Sequence, residues 1–447
     1  MKKFIETIKN IWSIEDLRNR ILTTLLLVLI YRIGSYIALP GIDANALTDF
    51  EKNSNQGILG LFNMFAGGSF SRASIFALGI MPYISASIAI QLLTIAVPHF
   101  QKLQKEGESG RKKINQFTRI LTVVVTGFQA SAYVAYLRNQ SGGAIIPEYG
   151  VFFFWLSTTV VLTAGTLFVM WLGEKITDKG IGNGTSIIIM MGILARLPEA
   201  LIAEFYTKVA GDAGGPILFL LEIAIFIIIT VGLILLVQGT RKIPVNYAKR
   251  IVGNKQYGGV RQFIPLKVNA AGVMPIIFAQ AIMFIPATLI GFATSSESAS
   301  GFIRIFSDHT NAWYNLIYAI LVVVFTYFYT ALIFNPTQMA DEMKRNNGFI
   351  PGVKPGKSTA DYIGAVMDRI TLPGAFFLAI AGIMPGVAAA FRINSNFATF
   401  FGGTSLLIMV GVILDTLQQI ESQLLMRHYD GLMSTGRIKG RSAPANV

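Results

Sequence analysis

The sequence contains no cysteine, which excludes disulfides, thiolate metal sites and cysteine nucleophiles. Imidazole is almost as scarce. His99, His309 and His428 are its three histidines, and they sit in separate polar segments with no metal-ligand spacing between them. Solvated or interfacial positions account for them. Charge is also in short supply: 14% of the 447 residues are Asp, Glu, Lys or Arg, whereas 53% are hydrophobic. That balance is the profile of a multi-spanning membrane protein and excludes an ordinary soluble domain. Acidic residues are the rarer sign, 24 against 37 Lys and Arg, for a net charge of +13.

A nucleotide-binding loop is missing as well, although GFIPGVKPGKST at 348–359 ends in the letters that close one. Such a loop needs Gly, four residues, then Gly-Lys-Ser/Thr. Here Pro351 stands where the first Gly belongs, and Gly352 is one residue too close. Pro351 and Pro355 also lack two of the backbone donors that a phosphate cradle uses. The segment reads as a turn-rich basic loop.

What the chain does have is ten apolar runs, near 21–39, 73–97, 115–137, 151–172, 183–199, 216–238, 269–292, 313–334, 370–390 and 404–425. About 20 apolar residues cross a ~30 Å hydrocarbon core as a helix. The first run follows MKKFIETIKNIWSIEDLRNR without a small-residue cleavage site, so it reads as a retained helix. The expectation is an all-α membrane protein of ten transmembrane helices. Between the runs, 29 basic residues fall on one side and six on the other: Lys52, Arg138, Arg196, Lys208, Arg304 and Arg392. Arg32 and Arg72 lie within or beside spans. Because positive loops stay inside, both termini are expected in the cytoplasm.

The basic loops attract anionic lipid headgroups. Residues 239–268 exceed that role: the loop has seven basic residues, no acidic ones, and interleaved Tyr247, Tyr257 and Phe263, a pattern suited to RNA or an acidic protein surface. A second large loop on the same side, 335–369, contains GFIPGVKPGKST.

A secondary transporter of a small solute is the rival reading, and it needs polar ligands near the midplane. The intramembrane candidates are few: Arg32, Glu222 and Asp415, with Arg119, Arg196 and Glu421 near span ends. Asp415 lacks a second carboxylate at helical spacing and reads as a hydrogen-bonded structural residue. The spans are instead rich in Gly, Ala and Ser, which lets helices approach closely. Pro82, Pro275 and Pro286 are expected to interrupt backbone bonds within two spans. Residues 57–70, GILGLFNMFAGGSF, are apolar but too short to span. They fit a re-entrant helix or an amphipathic surface helix.

LFNMFAGGSFSRASIFALGIMPYISASI, KEGESGRKKINQ, GEKITDKGIGNGTSI, VNYAKR, PLKVNAAGVMPIIFA, NPTQMADEMKRNNGFIPGVKPG and FFGGTSLLIM resemble the bacterial SecY family over residues 14 to 440. The resemblance implies ten helices in two pseudo-symmetric five-helix halves around a central pore. Residues 1–200 would form the first half, 201–215 a hinge loop, 216–430 the second half and 431–447 a cytoplasmic tail. It implies a protein-conducting channel subunit of the bacterial inner membrane that needs no cofactor and is not an enzyme. Such a channel passes unfolded secretory polypeptides across the membrane and releases transmembrane segments sideways into lipid.

The same resemblance assigns parts. Residues 57–70 would be a plug, with Leu59, Leu61, Phe62, Asn63, Met64, Phe65, Gly67 and Gly68 in it. Ile80, Ile84, Thr185, Ile189, Ile277 and Ile408 would form an apolar ring that excludes water by dewetting yet deforms around an extended chain. Ser85, Ile88 and Gln91 would face Ile277 and Ile285 across a lateral gate. Arg241, Lys242, Lys249, Arg250, Lys354 and Lys357 would dock the ribosome, through ribosomal RNA, and the SecA ATPase. Other implied partners are SecE, SecG, signal peptides and nascent membrane proteins. Two departures stand out. Lys354 occupies a position where the family typically has Arg, losing the planar fork, and Thr185 puts a hydroxyl in the ring.

Overall fold

In the computed structural model most of each described apolar run is helical. The described residues are 12, 14–43, 47, 63–140, 145, 150–210, 215–247, 250–252, 255–257, 261–280, 282–283, 311–391 and 393–434. The helices are α1 (Glu15–Gly34), α2 (Met81–Ala96), α3 (Pro98–Lys105), α4 (Glu108–Gln140), α5 (Val151–Lys179), α6 (Gly184–Phe205) and α7 (Gly215–Gln238). They continue as α8 (274–280), α9 (Ala312–Ile333), α10 (Pro336–Arg345), α11 (Lys357–Ala390), α12 (Ser395–Ala398) and α13 (Gly403–Ser434). Among the described residues seven helices are long and apolar enough to cross a bilayer, or eight if α2 and α3 form one broken span. Charges at both ends of α1 keep it outside that count. Of the seventh run, 269–292, only the part up to 283 is described.

Side chains explain where several helices start. Asn183 caps α6 by accepting from the N–H groups of Thr185 and Ser186, Asn311 caps α9, and Asn335 caps α10. Each cap satisfies a donor that the first helical turn leaves open. The second run departs from expectation. Residues 73–80 are turns, with Ala73 at φ 44° and Gly79 at φ 54°, and the helix begins only at Met81. Pro82 therefore sits in the first turn of α2 and Pro275 in the first turn of α8, where a missing N–H costs nothing. Neither bends a span as expected, and Pro286 lies outside the described residues. The prolines inside helices are Pro198 in α6 and Pro373 and Pro385 in α11.

The large basic loop is not irregular. It contains β1 (Thr240–Tyr247), β2 (Arg250–Val252), β3 (Lys255–Tyr257) and β4 (Arg261–Lys267). β1 pairs antiparallel with β4 from Thr240↔Lys267 to Asn246↔Arg261. On its other edge β1 pairs with β5 (Gly348–Phe349) from the second loop, so the sheet order is β4-β1-β5. Ile243 and Val245 are buried, with Lys242 exposed and Pro244 and Asn246 half-buried beside them, and they join Leu266, Met343, Ile350, Ile363 and Met367 in a small core. Each fully buried aliphatic side chain there contributes about 1.5–3 kcal/mol. The two large basic loops are thus joined in one body.

Asp415 also corrects an expectation. It is exposed on α13 and makes no hydrogen bond among the described residues. One turn on, Gln419 accepts from the N–H of Gly182, so α13 has here reached the level of the turn between α5 and α6. A carboxylate at that level needs no buried partner. The buried charges lie elsewhere: Lys208, 2% exposed, reaches Glu204 at 3.7 Å and Glu222 at 3.1 Å. Glu204 also accepts from the N–H of Asn394 at 2.9 Å. This triad ties α6, its terminal π turn (Tyr206–Ala210), α7 and the approach to α12.

Candidate pore, plug and gate

Ile80, Ile189 and Ile408 are buried in one apolar cluster, and Ile84 and Ile277 pack against it. They come from the lead into α2, from α2 itself, and from α6, α8 and α13. Met64 and Phe65 belong to the same cluster. Aliphatic side chains from this many helices meeting at one junction provide the apolar lining that a dry constriction requires.

Thr185, the sixth expected member, is half-buried in the first turn of α6. Its hydroxyl donates to Asn183 Oδ1 at 2.6 Å, and its methyl lies 3.2 Å from where a Cβ on Gly173 would sit. Both branches are thus engaged by the start of α6 and by α5. The hydroxyl that the sequence sets in the ring is already satisfied by the helix cap.

Of the short apolar segment, Leu59, Leu61 and Phe62 lie outside the described residues. Residues 63–65 form one helical turn and turns follow through 70. Asn63 is fully buried, and its Oδ1 accepts from the N–H of Ser71 at 3.0 Å. The Tyr133 hydroxyl donates to the Phe70 carbonyl at 2.7 Å. Gly67 and Gly68 have φ of 64° and 84°. Their backbone is also crowded: a Cβ on Gly192 of α6 would lie 2.8 Å from the Phe65 carbonyl oxygen. Only glycine permits both the turn and this approach. The buried setting fits the re-entrant alternative and not a surface helix.

Across from this cluster, Ile88 of α2 is buried with Ala271, Phe278 and Tyr329, and Ile277 packs on them. The Phe278 and Tyr329 rings meet edge to face at 5.0 Å. The Tyr329 hydroxyl donates to Gln91 Oε1, a polar contact joining α9 to α2. Ser85 is half-buried on the same helix, and Ile285 lies outside the described residues. Phe278 and Tyr329 were not among the expected gate residues, because aromatic residues in an apolar run give no sign of which face they occupy.

Arg241, Lys242, Lys354 and Lys357 are exposed and have no ion pair among the described residues. Lys249 lies outside the described residues, and Arg250 is placed only as the start of β2. Val353 N–H donates to the Ile350 carbonyl at 3.1 Å across Pro351-Gly352, with Gly352 at φ 85°. That is the chemistry of a type II turn. The near-match to a nucleotide loop is therefore a Pro-Gly turn leading to Gly356, which precedes the first residue of α11.

The long apolar helices, their shared apolar junction and the short buried segment among them define a polytopic helical membrane protein. The SecY family profile matches residues 74–417. The protein translocase subunit SecY of Streptomyces scabiei is 44% identical over 430 residues, covering 94% of this chain and 97% of that relative. A solved structure of a protein-conducting channel superposes with a TM-score of 0.59 at 16% identity, covering 91% of this chain and 92% of that one. Sec61 from the canine ribosome-channel complex superposes at 0.53, with 16% identity and the same coverage of both chains. The chain belongs to the SecY family. It is a subunit of a protein-conducting channel and not an enzyme, and the small-solute transporter reading is not favoured.

Proposed function

We propose that Ile80, Ile84, Ile189, Ile277 and Ile408, with Thr185 at their edge, close the translocation pore, and that residues 57–70 plug it from the outer side. The observation that carries this reading is the shared apolar cluster of the five isoleucines with Met64 and Phe65. Unfolded secretory chains pass where that cluster parts. Transmembrane segments leave sideways between α2 and the α8–α9 pair, where the Ile88–Phe278–Tyr329 contact and the Gln91–Tyr329 hydrogen bond form the seam. Residues 1–200 and 216–430 are the two halves that move apart, and the buried Lys208 triad sits at the hinge between them.

The test is ion flux through the purified channel in liposomes. Ile408→Thr puts a shorter side chain with a water-binding hydroxyl into a dry junction at a cost of about 1–3 kcal/mol to the closed state, so resting flux rises several-fold. Thr185→Ile lowers it slightly, because its hydroxyl already serves the cap. Flux unchanged in Ile408→Thr removes this cluster from the seal.

The basic platform is the docking face for the ribosome and for a SecA-type motor, on the cytoplasmic side of the bacterial inner membrane with both termini. Charge without counter-charge on a rigid sheet supports this. SecE and SecG as companion subunits, and anionic lipid near the platform, complete the reading. Arg241→Glu with Lys242→Glu should leave assembly intact, since exposed charges contribute little to stability. Ribosome binding should fall about tenfold, with a shallower dependence on salt. Unaltered binding would move the docking face elsewhere.

A further inference from the structure

We propose that Arg32 and Arg72 form a catch that positions the plug in the closed channel. Arg32 Nη1 donates to the Gly67 carbonyl at 2.8 Å, Arg72 Nη2 donates to the same oxygen at 3.0 Å, and Arg72 Nε donates to the Gly68 carbonyl at 3.1 Å. Two guanidinium groups thus converge on two successive carbonyls. The left-handed turn at Gly67 and Gly68 is what presents those oxygens on one side. Arg32 is anchored in the last turn of α1, and Arg72 in the segment leading to α2, so the turn is gripped from two directions.

The setting is unusual for a pair of cations. Neither guanidinium has a carboxylate partner among the described residues. Both lie against one ring, Tyr36, at 5.1 and 4.2 Å from its centroid, and Arg32 Nη2 also donates to the Tyr36 hydroxyl at 3.2 Å. Like charges this close repel. What holds them together is the carbonyl pair of the plug turn and the face of Tyr36. When the plug leaves, the catch loses three charge-assisted hydrogen bonds and water replaces them; no ion pair has to be broken. Neutral acceptors make the hold firm at rest and releasable when a chain enters.

This catch rests on reading residues 57–70 as the plug, and the experiment separates the two. Arg32→Gln, Arg72→Gln and the double variant are measured for resting ion flux in liposomes, in the full chain and in a chain lacking residues 58–68. The double variant is expected to reach at least half the flux of the deletion, and to add nothing within the deletion. Arg32→Lys and Arg72→Lys, each able to keep one carbonyl bond, should restore part of the seal. If the deletion raises flux and the double variant matches the parent, the catch is wrong and the plug stands. If the deletion leaves flux unchanged, the plug reading falls first. A rise of equal size in both backgrounds would assign the arginines to the pore wall and overturn the catch. Should the double variant fail to assemble, the Lys variants carry the same comparison.

Discussion

The cations of two clusters in this protein, one buried and one half-buried, are held by opposite means. At the junction of α6 and α7, Lys208 is 2% exposed and lies between the carboxylates of Glu204 and Glu222. At the plug turn, Arg32 and Arg72 are half-buried and face neutral carbonyls and a tyrosine ring. An ion taken wholly out of water needs an opposite ion, because its desolvation costs several kcal/mol and breaking the set leaves a bare charge. A guanidinium still in touch with water can be held by dipoles and given back to solvent at small cost. The first arrangement suits a junction that stays assembled, the second a part that moves.

The comparison can be broken at three strengths. Lys208→Met leaves two buried carboxylates facing each other without their cation. It should destabilise the purified chain by about 3–5 kcal/mol, read as a lowered thermal midpoint in detergent. A midpoint within a degree of the parent would show that Lys208 is not what keeps the site together. Glu222→Gln removes one negative charge from a site with two carboxylates and one ammonium, so Lys208 and Glu204 remain as a neutral pair. Its cost should be about 1 kcal/mol, the scale of a lost hydrogen bond. If it equals that of Lys208→Met, the two carboxylates are not interchangeable partners. Tyr36→Leu is the smallest change. It removes a ring worth about 0.5–1 kcal/mol to the two cations, with the hydroxyl that Arg32 Nη2 reaches, and leaves the carbonyl bonds intact. Resting flux should rise by less than threefold, with no shift in the thermal midpoint.

The docking platform differs from both clusters in how it could be read. Seven basic residues without an acidic one in 239–268 are visible as letters, and so is the aromatic interleaving. The pairing of Asn246 with Phe349 and Tyr247 with Gly348 is not, because it joins segments about a hundred residues apart and uses backbone groups that every residue has. Nothing in the alternation along a short basic strand names its partner.

The length of the apolar runs pointed to the helices, and the distribution of Lys and Arg set the expectation of which loops share a side. Both are additive along the chain, so local counting is enough. The missing cysteines and the broken phosphate-loop spacing argue against thiol chemistry and nucleotide binding, and the long matching blocks carry the family resemblance. The tertiary structure alone decided how side chains are spent. Lys208 looked like a loop lysine until folding set it between two glutamates. The Thr185 hydroxyl donates to the α6 cap, and Asp415, expected to be hydrogen-bonded within a span, is exposed where α13 reaches the level of a turn. Arg32 and Arg72, forty residues apart, converge on one carbonyl only because α1 and the lead into α2 are packed around the same glycine turn. Each outcome depends on which surfaces meet at a few ångströms, and that is a property of packing in three dimensions that no window along the sequence contains.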